Sequence, residues 1–381
     1  LEAYGLQVGN EVLPDGREEY AEHPYVTGEH EGFDVDLVPC YRVESAADIR
    51  SAVDRTPFHT AYVRERLDDD LAGDVRLLKA FMKAVGVYGS DLKTRGFSGY
   101  LAELLVLAYG GFRAVLEAAA DWTPQVELDP EDHAAATFED PLVVIDPTDP
   151  ERNVAAVCSA ESVARLQHHA RMLLADPTVE RFRADDPEPI APEAVREHVR
   201  RRGTTPVAVR FAVPDLVDDQ LYPQLRRSLS GTTDELDRRG FDVLRAATWA
   251  TDGGAEPESA ASGGRVAVLF VELAVARRPA VERHEGPPVH VREHATGFYK
   301  KYADADAYGP FVDGDRYVVE RDREFETARA FLRSDALFDV ALGAHVESAL
   351  ADGYDVLVGE DVAALAEQFG AELAGYFGPR A

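Results

Sequence analysis

The hydrophobic period of this chain changes twice, and neither an all-helical nor an all-strand fold accommodates both changes. Phe33, Val35 and Leu37 alternate with Asp34 and Asp36, the period of a half-buried strand with two carboxylates on one face. From Asp68 onward Leu71, Val75, Leu78, Met82 and Val85 fall instead on one helical stripe, with Arg76, Lys79 and Lys83 off it. Val207, Val209, Phe211 and Val213 return to alternation. Leu221, Leu225, Leu229 and Leu236 then mark a helix ending at Gly240, and residues 241–251 and 265–276 read as two further strands. A βαββ order of this kind belongs to an α+β sheet domain. The length of 381 residues suits two or three domains, so the fold class is α+β multidomain. Residues 1–65 read as the end of a mixed domain, 66–190 as mostly helical, and 191–381 as an α+β body and tail.

Local signals fill in this outline. A hairpin-like segment is expected near Gly28, and Ser45 is placed to cap a short helix from Ala46 to Val53. Pro57 predicts an extended backbone at Thr56, which would aim its hydroxyl. Ser98 caps a helix carrying Leu101, Leu104, Leu105 and Leu107, a further helix covers 111–120, and Ser159 caps one from Ala160 to Leu174. Asp146 to Asn153 reads as a turn. Pro187, Pro189 and Pro192 predict a boundary near 184–192, and the Gly/Ser/Glu stretch from Asp252 to Gly264 reads as a flexible hairpin loop. Two more helices are expected over 324–334 and 361–376.

Composition narrows the function classes. The formal net charge is −30, and lysine occurs only at Lys79, Lys83, Lys93, Lys300 and Lys301, a balance suited to a high-salt cytoplasm. An acidic surface ordinarily argues against nucleic-acid binding, but in molar salt the Debye length falls to roughly 3 Å and local basic patches decide contact. Such patches are Arg200-Arg201-Arg202, Arg226-Arg227 and Phe298-Tyr299-Lys300-Lys301-Tyr302, the last mixing charge with stacking rings. No apolar run approaches the roughly 20 residues of a bilayer span, so a cytoplasmic protein without a membrane partner is expected. Cys40 and Cys158 are too few for a disulfide framework or a four-cysteine metal site. The chain begins at Leu1 and its methionines are Met82 and Met172, from which a missing N-terminal segment is expected.

Several segments carry chemistry together: Asp36-Leu-Val-Pro-Cys-Tyr41, Arg55-Thr-Pro-Phe-His59, Gly86-Val-Tyr-Gly89, Arg95-Gly-Phe-Ser-Gly-Tyr100 and Asp146-Pro-Thr-Asp-Pro-Glu-Arg-Asn-Val-Ala-Ala156. In this order they resemble the archaeal (class I) CCA-adding enzymes, the tRNA nucleotidyltransferases, over most of Tyr20 to Leu174. The resemblance implies template-independent addition of C, C and A to tRNA 3′ ends from CTP and ATP. It also implies Mg²⁺, and a homodimer is compatible with it. By the same resemblance residues 1–65 are the C-terminal part of a polymerase-beta-like nucleotidyltransferase head, 66–190 a helical central domain, and 191–381 the region that holds the tRNA acceptor stem and T arm.

Site residues follow from the matched positions. Asp36 corresponds to the third metal-binding, catalytic carboxylate of the family. Arg55, Thr56 and His59 approach the bound nucleotide, Lys79 and Tyr88 bind its triphosphate, and Arg152 helps read the incoming base. The first two carboxylates of the family follow a Gly-Ser turn in an Asp-x-Asp strand. Asp34-Val-Asp36 has the second pattern, but no Gly-Ser turn precedes it and the Val-Pro-Cys-Tyr41 that follows matches the third-acid position, so that pair is not found in this chain. Two other readings therefore stand beside the first: a tRNA-binding fragment without catalysis, and a related poly(A)-type nucleotidyltransferase. His290-Val-Arg-Glu-His294 has the letters of a zinc motif, but it alternates like a strand after Gly286-Pro287-Pro288, whereas that motif needs one helical face. Gly86-Val-Tyr-Gly89 has the GxxG letters of a KH loop without the rest of that domain.

Overall fold

A computed structural model describes residues 2–20, 24–184, 187–213, 216–251 and 265–380. The chain divides into two compact units, Leu1–Asp185 and Asp186–Arg380. The expected hairpin loop over 252–264 lies outside the described residues.

The first unit begins with helix α1 (Glu2–Val12) and an antiparallel meander of β1 (Arg17–Tyr20), β2 (Pro24–His30) and β3 (Phe33–Leu37). Its period-two pattern sorts the faces. Val26 is fully buried against α1, where a side chain on Gly9 would collide with it, while Asp36 pairs with Thr27 on the open face. The turn of this hairpin is not at Gly28, which lies inside β2. It is at Glu31-Gly32, whose φ values of 52° and 81° give the left-handed pair that tight hairpins require.

Helices α2 (Thr56–Arg66), α3 (Asp69–Ala84), α4 (Gly99–Tyr109) and α5 (Phe112–Asp121) follow, then strands β4 (Val126–Leu128), β5 (Leu142–Asp146) and β6 (Asp149–Asn153), and helix α6 (Ala160–Ala175). Leu78, Phe81, Met82, Phe97, Leu105 and Leu166 are fully buried at the centre of this layer. Side chains of this size contribute roughly 1.5–3 kcal/mol each by burial. Ser98 and Ser159 cap α4 and α6 as their sequences require, accepting from Leu101 N–H and Ser162 N–H at 3.1 Å. No single helix among the described residues is long and apolar enough to cross a membrane.

Three local expectations are corrected here. The helix expected from Ala46 to Val53 is two short 3-10 turns, Ala46–Asp48 and Ala52–Arg55, and Ser45 donates to the Asp48 side chain instead of capping. The cause is buried Asp54, whose carboxylate collects the backbone N–H groups of Tyr41, Arg50 and Ser51 at 2.6, 2.9 and 3.0 Å. Donors that a continuous helix would use are thereby taken. Thr56 is not extended but helical (φ −53°, ψ −44°) as the first residue of α2, because Pro57 sits within the first turn, where its missing N–H costs nothing. The segment from Asp146 to Asn153 is a strand-turn-strand unit rather than a bare turn.

The second unit contains α7 (Pro192–Arg202), β7 (Thr205–Ala212), α8 (Asp218–Arg238), β8 (Val243–Ala250), β9 (Val266–Leu273), β10 (Val281–Pro288), α9 (Arg292–Tyr302), β11 (Tyr308–Asp313), β12 (Arg316–Asp322), α10 (Ala328–Leu332), α11 (Ala344–Asp352), β13 (Tyr354–Val358) and α12 (Ala366–Phe377). Its main sheet has the order β13-β7-β9-β8, and a smaller sheet has the order β10-β12-β11. Alternate residues of the main sheet serve two cores, Val207, Val209 and Leu269 one of them and Ala208, Val268 and Phe270 the other. His290-Val-Arg-Glu-His294 is not a strand: β10 ends at Pro288 and His294 already lies on α9, so the two histidines do not share a helical face.

Candidate nucleotide site

The helical layer of the first unit converges on one carboxylate. The apolar run Leu142–Ile145 makes β5 a fully buried strand, and Asp146 closes it with no exposed surface. Pro147 turns the chain, and the Thr148 backbone N–H and hydroxyl both donate to Asp146 Oδ1 at 2.9 Å. β6 then runs back and brings Arg152, whose Nη1 donates to Asp146 Oδ2 at 2.7 Å. From α2, His59 Nε2 lies 2.8 Å from the same oxygen. Tyr100, in the first turn of α4, stacks its ring on His59 with centroids 3.9 Å apart and planes 12° from parallel. Its hydroxyl lies 3.5 Å from Asp146 Oδ1. His133 Nε2 donates to the Asp146 backbone carbonyl at 3.1 Å.

Burial pushes the Asp146 carboxyl pKa up, but the hydrogen bonds from His59 and from the Thr148 backbone and hydroxyl win and hold it well below the usual carboxylate range. Asp146 is therefore charged and accepts only, so His59 Nε2 carries the proton of their bond. Burial, with the Asp146 charge beside it, pushes the Tyr100 hydroxyl far above the ordinary phenol range.

Lys79 and Tyr88 meet at the other side of the α4 N-terminus. A Cβ on Gly99 would lie 3.2 Å from the Tyr88 hydroxyl and 3.4 Å from Lys79 Nζ. Lys79 Nζ donates to Glu103 Oε1 at 2.7 Å, one turn into α4. Lys83 Nζ stands 5.1 Å from the Tyr88 ring centroid. Tyr88 is held in place by a bridge to Phe97, where a side chain on Gly96 would collide with the Val87 carbonyl. The free N–H groups of the first turn, the positive helix end, an ammonium and a phenol are together a fit for an anion with several oxygens.

The structure thus gathers Arg55, His59, Lys79, Tyr88 and Arg152 on one set of elements. Arg55 Nη2 reaches Asp149 Oδ2 at 3.3 Å, tying the start of α2 to the start of β6. Thr56 is exposed at the head of α2. Asp36 is exposed on the open face of β3, and no hydrogen bond or ion pair among the described residues joins it to the helical site. Asp34 and Asp36 are both exposed, and among the described residues no three His, Cys, Asp or Glu side chains converge to hold a metal. The described residues therefore do not by themselves build a metal centre, and no chemical step is derived from one.

Asp146, Thr148 and Tyr100 lie inside the motif segments but had no role assigned from sequence, and Glu103 lies outside them. A signal for Asp146 existed. A carboxylate closing an unbroken buried strand and opening an Asp-Pro-Thr turn is placed where burial demands partners.

Comparison with known proteins agrees in region. Residues 73–183 match the family model for the second domain of tRNA nucleotidyltransferase, and residues 202–359 match that for the C-terminal domain of CCA-adding enzyme. The chain is similar to the CCA-adding enzyme of Haloarcula marismortui, at 66% identity over all of this chain and 82% of that protein. It is similar also to that of Halorubrum lacusprofundi, at 63% over the same shares, and to that of Methanosarcina mazei, at 38% over 97% of this chain and 79% of the relative. A solved structure described as a cytoplasmic RNA terminal U-transferase aligns with TM-score 0.35 and 13% identity over 47% of this chain and 76% of that one.

Proposed function

We propose, from the premise that this chain belongs to the archaeal CCA-adding enzymes, which site residues serve which part of the reaction. The function itself is template-independent addition of CCA to tRNA 3′ ends from nucleoside triphosphates. The tRNA 3′ oxygen bonds to the α-phosphorus and gives up its proton, the bond from that phosphorus to the α,β-bridging oxygen breaks, and pyrophosphate leaves carrying the bridging oxygen. In our assignment Lys79, Tyr88 and the first-turn N–H groups of α4 hold the triphosphate of CTP or ATP. The observation that carries it is the approach of both side chains to the same point beside Gly99.

Arg152 faces the base. Its Nη1 is fixed on Asp146, while among the described residues its Nε and Nη2 carry no partner, which leaves an edge for acceptors on a base. His59, Thr56 and Arg55 flank the phosphates from α2, and Asp36 supplies a catalytic carboxylate. The family is divalent-metal dependent, and Mg²⁺ is the ion we assign, with Asp36 among its ligands. A bound ion would neutralise the triphosphate charge.

The second unit takes the tRNA, and we assign it the acceptor stem and T arm. On α9 Tyr299, Lys300 and Lys301 are exposed and follow Phe298, whose ring stacks against His284 and Tyr317. Val289, His290, Arg292, Tyr299, Lys300 and Tyr317 border a cavity of about 420 Å³ there. A basic rim on aromatic rings suits a nucleic-acid backbone and its bases. Arg200 and Arg202 are less available, being paired with Glu360 and with buried Glu272.

Steady-state incorporation separates these roles. Lys79→Ala and Tyr88→Phe should raise KM for CTP and ATP while tRNA affinity is unchanged. Unaltered nucleotide KM in both variants would remove the triphosphate assignment.

A further inference from the structure

One oxygen, Asp146 Oδ2, takes hydrogen bonds from two side chains on different elements, Arg152 Nη1 at 2.7 Å and His59 Nε2 at 2.8 Å. The other oxygen is fixed by the Thr148 N–H and hydroxyl, and Tyr100 closes the far side of the His59 ring. The carboxylate is wholly buried, so it touches neither solvent nor a ligand directly. It is not required for the hydrogen bonding of β5, which ends there.

We propose that Asp146 is a positioning residue for nucleotide selection, a shared anchor that locks the base-facing arginine and the phosphate-side histidine into one rigid unit. This rests on the reading of Arg152 as the base-facing residue. With Oδ2 in place the guanidinium cannot rotate about its long side chain without leaving a charge-assisted bond, so its remaining N–H edge is presented in one orientation. Discrimination among bases needs that fixed orientation, because a mobile guanidinium finds acceptors on every base. His59 is held by the same atom, so displacement of the arginine is felt on the phosphate side.

Asp146→Asn keeps size and shape but removes the charge and replaces one acceptor by an N–H₂ donor, so in either amide orientation one side, His59 with Arg152 or the Thr148 N–H and hydroxyl, faces a donor instead of an acceptor. Incorporation of CTP and ATP and misincorporation of UTP and GTP are measured on tRNA lacking its CCA end, for wild type, Asp146→Asn, Arg152→Ala and the double variant. Nucleotide affinity is followed directly by titration, and tRNA affinity by gel shift. The expected result is a loss of correct-over-incorrect selectivity on the order of tenfold in Asp146→Asn. Thermal melting should remain cooperative and tRNA affinity unchanged, and the double variant should be no less selective than Arg152→Ala alone.

If Arg152→Ala retains full selectivity, the base-facing reading fails. If Arg152→Ala loses selectivity and Asp146→Asn retains it, the anchor proposal alone is overturned. Additive losses in the double variant would also overturn it. Should Asp146→Asn fail to fold, Thr148→Val removes only one of the groups that hold Oδ1. It should lower the same ratio by a smaller factor, and wild-type selectivity in that variant would then count against the proposal.

Discussion

The Lys79 ammonium donates to the Glu103 carboxylate 2.7 Å away, one helical turn inside the α4 terminus at which Tyr88 also arrives. Glu103 thus occupies a proton of the lysine and adds negative charge close to where a triphosphate would sit. Glu103→Gln should tighten CTP and ATP binding about two- to fivefold at low salt, as expected for a partly exposed charge pair, with the effect shrinking in molar salt. Nucleotide titration at two salt concentrations checks this, and weaker binding in the variant would mean that Glu103 serves to orient the lysine.

Gly99→Ala is a steric probe of the same place. Alanine improves helix propensity by up to about 1 kcal/mol. Its methyl, however, would stand 3.2 Å from the Tyr88 hydroxyl and 3.4 Å from Lys79 Nζ, so both must give by a few tenths of an ångström. The melting temperature should be unchanged or higher while KM for both nucleotides rises. A fall in both stability and affinity would point to general damage instead.

Glu272 gives a pH-dependent prediction for the second unit. It is buried on β9, which pushes its carboxyl pKa up, but hydrogen bonds from Arg202 and Thr204 and the Arg202 charge hold it below the usual glutamate range. A depressed folded pKa means stability that is fully present above the unfolded value of about 4.3 and is lost as pH falls through the folded value. Glu272→Gln should cost about 2–4 kcal/mol at neutral pH. The difference in denaturant midpoint between variant and wild type should narrow as the pH is taken below about 4. A constant gap down to pH 3 would show that packing and not charge is what the glutamate supplies.

For the tRNA surface, Lys300→Ala with Lys301→Ala should weaken tRNA binding and reduce the slope of log affinity against log salt by roughly 0.7–0.9 for each lysine that contacts a phosphate. Nucleotide KM should not move. Gel shifts over a salt series measure the slope, and an unchanged slope would take α9 out of the interface.

What was legible in the sequence was the part set by local period and capping. Leu71 to Val85, Ser98 and Ser159 specify α3, α4 and α6 through apolar spacing and side-chain caps, and these are the elements that carry Lys79 and Tyr100. Long-range partners were not legible. Asp54 breaks the expected helix after Ser45 by drawing backbone donors from Tyr41 to Ser51, and nothing at Ser45 signals this. Arg55, His59 and Arg152 came forward by their motifs, whereas Asp146, which brings His59 and Arg152 to one atom, shows its role only when α2, α4 and β6 are packed together. At α9 the letters around His290 to His294 suggest alternation, but the buried Ala295 and Tyr302 sit seven residues apart on a helical face.

The pairing of β13 with β7 joins Tyr354 to Phe211, and Arg210 meets Asp355 across 145 residues of chain. While the protein is being synthesised, β7 must therefore wait with one side unpaired until Tyr354–Val358 has emerged. An open strand bearing Val207, Val209 and Phe211 is a template for pairing with another nascent chain. Mutual repulsion between strongly acidic chains is a safeguard during that interval, and it would be weakest when synthesis proceeds in concentrated salt.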